Sequence, residues 1–108
     1  MTLRRSRKLC LYINTKDQKQ ISVALKKDGE VVKNLSEDRE YGSQVLLPLI
    51  DKILNTENLK LQDLDGIEVE TGPGSFTGLR VGVSVANALG FSLGIPVNGK
   101  KIETELVY

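Results

Sequence analysis

A chain of 108 residues with 27% charged and 40% hydrophobic side chains suits one folded domain and argues against wholesale disorder. Its formal net charge of +1 gives no basis for a dedicated nucleic-acid binder, and the absence of histidine removes the usual general base and the commonest nitrogen metal ligand. A single cysteine, Cys10, excludes an internal disulfide and a thiolate metal cluster, so any catalysis would rest on carboxylates, lysines or backbone amides.

Arg4, Arg5, Arg7 and Lys8 form the one local charge run, and residues 1–7 read as a flexible basic terminus. No apolar stretch follows that would serve as a signal peptide, and no segment is long enough to span a bilayer. The expectation is a cytoplasmic protein without membrane contact.

Lys8–Asn14 reads as a strand with little alternation, central and covered on both faces, with Cys10 as a small buried hydrophobe. Gln20–Lys26 alternates better and should pair with it. Asp28-Gly29 tolerates the positive φ angles of a tight hairpin turn. Val31–Ser36 then makes a third antiparallel strand, more polar and nearer an edge. After a charged loop, Val45, Leu46, Leu49, Ile50, Ile53 and Leu54 fall near one face of a helix, with Ser43 as its N-cap and Pro48 in or close to its first turn. A loop with a short helical turn leads to a fourth strand, Gly66–Glu70. A long helix follows from about Ser75 to Leu93, and Ile95–Gly99 closes as a short strand parallel to the fourth. The order β-β-β-α-β-α-β defines an α/β domain with a mixed sheet.

The segment ETGPGSFTGLRVG, Glu70–Gly82, carries the main functional question. It lacks the lysine and Ser/Thr that a Walker loop places after its final glycine, and its glycines do not give the dinucleotide spacing G-x-G-x-x-G. It does not read G-x-S-x-G either, and no histidine exists to activate Ser75. Two readings stay open. Free amides around Gly74, Ser75 and Thr77 could hold an anion at a helix N-terminus, with Lys16 as a further contributor. Alternatively the glycines serve close backbone approach. Gly78, Gly82, Ala86 and Gly90 recur every fourth residue, and a glycine inside a helix costs about 1 kcal/mol relative to alanine unless something compensates. Apolar residues occur on several faces of this helix, so surplus apolar surface suggests contact with another chain, unless the first helix covers it all.

GPGSFTGLRVG closely resembles the signature of the bacterial TsaB (YeaZ) family, glycoprotease-like relatives of TsaD. LYINTKDQKQISVAL resembles that family's first hairpin, LLPLIDKIL its first helix and GIPVNG its next strand, so the resemblance covers about Lys8 to Gly99. It implies a single ASKHA (actin/Hsp70/sugar-kinase-like, RNase H-like) half-domain over residues 8–108, the second ASKHA domain being absent from this chain. The implied function is that of a non-catalytic partner of a TsaD-like protein, with a TsaE-like ATPase, in threonylcarbamoyl modification of the adenosine beside the anticodon of tRNA. The resemblance implies no cofactor, no metal, no catalytic residue, and tRNA contact only through the complex. It also implies a helix-mediated interface, with TsaD or with a second copy, which would fall on Leu46, Ile50, Ile53, Gly78, Gly82, Val85, Ala86 and Leu89. The sequence departs from the family pattern in three places: Asn14 replaces an aspartate, Lys16 a serine, and Gly42 stands where a histidine often precedes Ser43. Loss of the aspartate removes a magnesium-organising carboxylate, so no independent ATP hydrolysis is expected. The alternatives are a small anion- or nucleotide-binding module and a stand-alone homodimer.

Overall fold

The computed structural model of the protein describes residues 8–17, 19–38, 43–72 and 77–100. Four strands form one sheet in the order β3-β2-β1-β4. β1 (Leu9–Asn14) lies at its centre, antiparallel to β2 (Gln20–Lys27) and parallel to β4 (Gly66–Val69). β3 (Glu30–Asp38) runs antiparallel to β2 on the far side. The β2–β3 hairpin turns through Asp28 (φ 54°) and Gly29 (φ 87°), the two left-handed residues that an Asp-Gly pair supplies. Lys8 reinforces this turn, because its amide donates to Asp28 Oδ1 at 2.8 Å and its carbonyl accepts from the Asp28 amide at 2.9 Å.

Alternation decides what each face does. Leu9, Leu11 and Ile13 on β1, Ile21, Val23 and Leu25 on β2, and Ile67 and Val69 on β4 join one core cluster with both helices. α1 (Leu46–Thr56) contributes Leu46, Leu49, Ile50, Ile53 and Leu54, the phase expected from their spacing. α2 (Thr77–Leu93) contributes Ala86. The α1 contacts fall on β2 and β3, and those of α2 on β4 and β1, so the helices share one face of the sheet. Burying one Leu or Ile side chain is worth about 1.5–3 kcal/mol, which makes this shared face the main source of stability.

Both helices stop by the same device. α1 ends at Asn58 (φ 60°), with Leu59 N–H bonded to Leu54 O and Asn58 N–H to Asn55 O. α2 ends at Gly94 (φ 70°), with Ile95 N–H bonded to Gly90 O. A left-handed residue just past the helix lets the next amides return to otherwise orphan carbonyls. The start of α1 corrects the expected cap. Ser43 belongs to a 3₁₀ turn, Ser43–Val45, and the residue that caps α1 is Val45, which makes no side-chain cap bond. Pro48 falls in the first turn, where a missing N–H costs little.

Two further expectations change. β1 is central, but among the described residues helices cover only one of its faces; on the other, Cys10 is buried while Tyr12 and Asn14 are part-exposed. The fifth strand, Ile95–Gly99, reduces to a single parallel bridge between Val97 and Ile67. Pro96 has no N–H to give, and the chain turns at once through Asn98 (φ 50°) and Gly99 (φ 81°). The side chain of Asn98 continues the ladder instead. Its Oδ1 accepts from Val69 N–H at 2.8 Å and its Nδ2 donates to Val69 O at 3.1 Å.

The contact that seats α2 is between Gly82 and Thr15. Thr15 is fully buried at the end of β1. A Cβ added to Gly82 would lie 2.5 Å from Thr15 Oγ1 and 3.1 Å from its Cγ2. Gly82→Ala therefore overpacks this contact, and we expect a net loss of about 1–2 kcal/mol after the gain in helix propensity is subtracted. In a Thr15→Ala background the same substitution should cost measurably less. Urea unfolding of the two single variants and the double variant checks this; equal costs in both backgrounds would show that Thr15 is not what excludes the side chain.

Candidate functional site

The carboxyl ends of β1 and β4 lie side by side, with Ile13 opposite Val69. In open α/β sheets, ligands favour the crevice beyond such parallel strand ends. The β1–β2 turn and Glu70, just past β4, meet there. Close approach at Gly82 brings α2 to the end of β1, so the packing of the core positions the site.

The β1–β2 turn is organised by local side chains. Asn14 Oδ1 accepts from Lys16 N–H at 2.9 Å, and Asp17 Oδ1 accepts from the amides of Lys19 and Gln20. Such Asx contacts fold a polar loop without a partner strand. Asn14, Lys16, Asp17 and Lys19 line a shallow open pocket of about 500 Å³. Glu70, just past β4, anchors to β1 through its amide, which donates to Ile13 O at 2.9 Å. Its carboxylate accepts from the Tyr12 hydroxyl at 3.0 Å and lies 3.9 Å from Lys16 Nζ. The lysines at this end of the sheet therefore sit among the carboxylates of Asp17 and Glu70, rather than forming a purely basic cradle.

Tyr12 links this end to the uncovered face of the sheet. Lys26 Nζ lies 4.8 Å from the centre of the Tyr12 ring and 2.8 Å from Glu68 Oε1. Burial, the hydrogen bond to Glu70 and the charges of Glu70 and Glu68 all push the Tyr12 hydroxyl above its ordinary value. Burial likewise raises the Cys10 thiol and keeps it protonated. Among the described residues, no three His, Cys, Asp or Glu side chains converge as a metal site.

Of the residues assigned to an anion site, Gly74 and Ser75 lie outside the described residues, and Thr77 opens α2. The residues assigned to a partner interface divide. Leu46, Ile50, Ile53 and Ala86 are buried in the chain's own core, and Gly82 is buried against Thr15. At Gly82 the stripe of small residues admits a strand end of the same domain, and the other four pack into the core cluster. Val85 and Leu89 are only partly buried, and Gly78 lies in the first turn of α2. Among the described residues, the large hydrophobic side chains exposed on the helices are Leu47, 57% exposed, and Phe91, 44% exposed. Their signal in the sequence is that each falls out of phase with the buried set of its helix.

A mixed β3-β2-β1-β4 sheet, with both helices on one face and a glycine-rich entry to the second, defines an ASKHA-type half-domain. Residues 30–99 match the family model described as TsaD, tRNA N6-adenosine threonylcarbamoyltransferase. The tRNA threonylcarbamoyladenosine biosynthesis protein TsaB of Escherichia coli is 36% identical over 78 residues, which cover 72% of this chain and 34% of the relative. A tRNA N6-adenosine threonylcarbamoyltransferase of Tropheryma whipplei is 53% identical over 51 residues, 47% of this chain and 13% of the relative. The solved structure of YeaZ from Pseudomonas aeruginosa superposes with a TM-score of 0.74 at 32% identity, covering 83% of this chain and 42% of that one. The chain belongs to the family of TsaB (YeaZ) and TsaD proteins. It spans about a third of the length of the E. coli relative.

The surroundings of Tyr12 carry a pH dependence. Its folded value lies above the unfolded one, so its contribution to stability is complete below about pH 10 and is lost as the pH rises from there through the raised folded value. Tyr12→Phe should lower stability at neutral pH by about 0.5–1.5 kcal/mol, through loss of the bond to Glu70. It should also flatten the decline above pH 10. Urea titrations from pH 8 to pH 11.5 check both; an unchanged alkaline slope would show that Tyr12 is not the titrating group.

Proposed function

We propose that the chain acts in tRNA threonylcarbamoyladenosine biosynthesis as a TsaB-like, non-catalytic partner of a TsaD-like protein. The reading rests on its family and on one observation, the apolar outer side of its helices. Both helices lie on one face of the sheet, so their outer sides point the same way. There Leu47 and Phe91 are exposed, and Val81 and Val85 are partly so. Apolar side chains left on an outer helix face are the chemistry of a protein interface. In this proposal a TsaE-like ATPase joins the wider complex, tRNA is met only through that complex, and a second copy of the chain is the alternative occupant of the helix face.

The non-catalytic part of the proposal draws on Asn14. Its amide stands where the family pattern has a carboxylate, and its Oδ1 is already engaged by Lys16 N–H. An amide oxygen carries no charge with which to hold magnesium. The purified chain should therefore turn over no ATP.

Leu47→Glu and Phe91→Glu should each weaken binding to a TsaD-like protein at least about tenfold, because each places a charge in a surface that must lose water. Neither should shift the thermal midpoint by more than about 2–4 °C, since both side chains are exposed. Calorimetric titration, paired with thermal melts, measures the two effects. Wild-type affinity in both variants would remove the helix face from the interface.

A further inference from the structure

The two edges of the sheet are treated differently. At β4 the outward backbone groups of Ile67 and Val69 are used: Ile67 N–H bonds to Pro96 O, Ile67 O accepts from Asn98 N–H, and the Asn98 side chain takes both groups of Val69. At the opposite edge, β3 pairs only with β2 among the described residues. No described strand lies along its outer side, and at its end the Asp38 amide donates to the Glu37 carboxylate at 3.3 Å. Val31 and Val32 on this edge are 56% and 44% exposed. Among the described residues, the edge left open to an added strand is therefore β3.

The pattern of β3 specifies its partner. A register shift opposite Leu25 and Lys26 leaves Val32 without a cross-strand residue, since Leu25 faces Lys33 and Lys26 faces Val31. This bulge bends the strand and limits regular pairing to the segment from Lys33 onward. Lys33, Leu35 and Glu37 oppose Leu25, Val23 and Ile21, so all three stand on the helix face of the sheet. In a continuous antiparallel sheet, directly opposed residues share a face. A two-fold pairing of β3 with itself must therefore centre on a residue. Centred on Lys33, it sets lysine against lysine. Centred on Asn34, it sets Lys33 against Leu35. Centred on Ser36, it sets Leu35 against Glu37. Centred on Leu35, it sets leucine against leucine and Asn34 against Ser36, and it places Lys33 opposite Glu37 twice.

We infer that β3 is a docking edge for a second copy of this chain, paired antiparallel about Leu35 and held in register by two Lys33–Glu37 contacts. The two four-stranded sheets become one, with all helices on the same side. The two-fold makes the contact self-complementary and closed. The pairing uses neither Leu47 nor Phe91, so it is independent of the helix-face reading above.

The charges give a test that leaves the core untouched. Lys33→Glu sets carboxylates against carboxylates at both contacts, and Glu37→Lys sets lysines against lysines. Sedimentation of the full chain from about 10 μM to about 1 mM should show a concentration-dependent dimer that weakens at high salt. Each single reversal should raise its dissociation constant about tenfold. An equal mixture of the two single variants should dimerise as the wild type does, and so should the double reversal. Circular dichroism confirms that each variant is folded. A chain that stays monomeric throughout overturns the inference. So does a dimer that ignores both single reversals, or one that is lost with Leu47→Glu and kept with the charge variants.

Discussion

The fold depends on how closely α2 can approach the end of β1. Thr15 is fully buried there, and the space above it is too small for even a methyl group at residue 82. That close approach sets the height of α2 over β1 and β4. A helix held one side-chain diameter further away would leave Leu79 and Ala86, both buried, above a gap. Gaps of that kind are costly, because protein interiors are packed as densely as molecular crystals. The energetic cost of glycine in a helix is thus offset by contact with the sheet.

Much of this architecture can be read in the chain. The hairpin is legible because Asp28-Gly29 is a local signal that needs no knowledge of the rest of the molecule. The buried face of α1 is legible because five apolar residues repeat in one phase. The order of elements follows from these and from crossover geometry. The short last strand is less legible, since a side chain rather than backbone completes its ladder at Asn98, and no pattern of hydrophobicity records that.

The candidate site is legible only in outline. Gly82 marks where α2 packs closely, and Lys16 lies near Glu70, just past β4. What faces a small-residue stripe is not written in the stripe. Gly82 would look the same in sequence against a partner helix or against Thr15, because spacing reports a face and not its occupant. The same limit applies to Tyr12, whose links to Glu70 and Lys26 join residues far apart in the chain. Leu47 and Phe91 could have been singled out as residues out of phase, but phase alone does not separate a docking residue from an ordinary exposed apolar one.

The carboxamide of Asn98 has the same donor and acceptor as a peptide group, and it meets Val69 as a neighbouring strand would. The sheet thus ends in a counterfeit peptide unit, carried on a side chain while the real backbone has already turned away through left-handed angles. Few residues could replace it. Aspartate keeps the acceptor but points a second oxygen at the Val69 carbonyl. Glutamine has the right group on an arm one carbon too long, and serine is too short to span donor and acceptor at once. A position that reads as ordinary turn punctuation is therefore chemically among the most restricted in the chain.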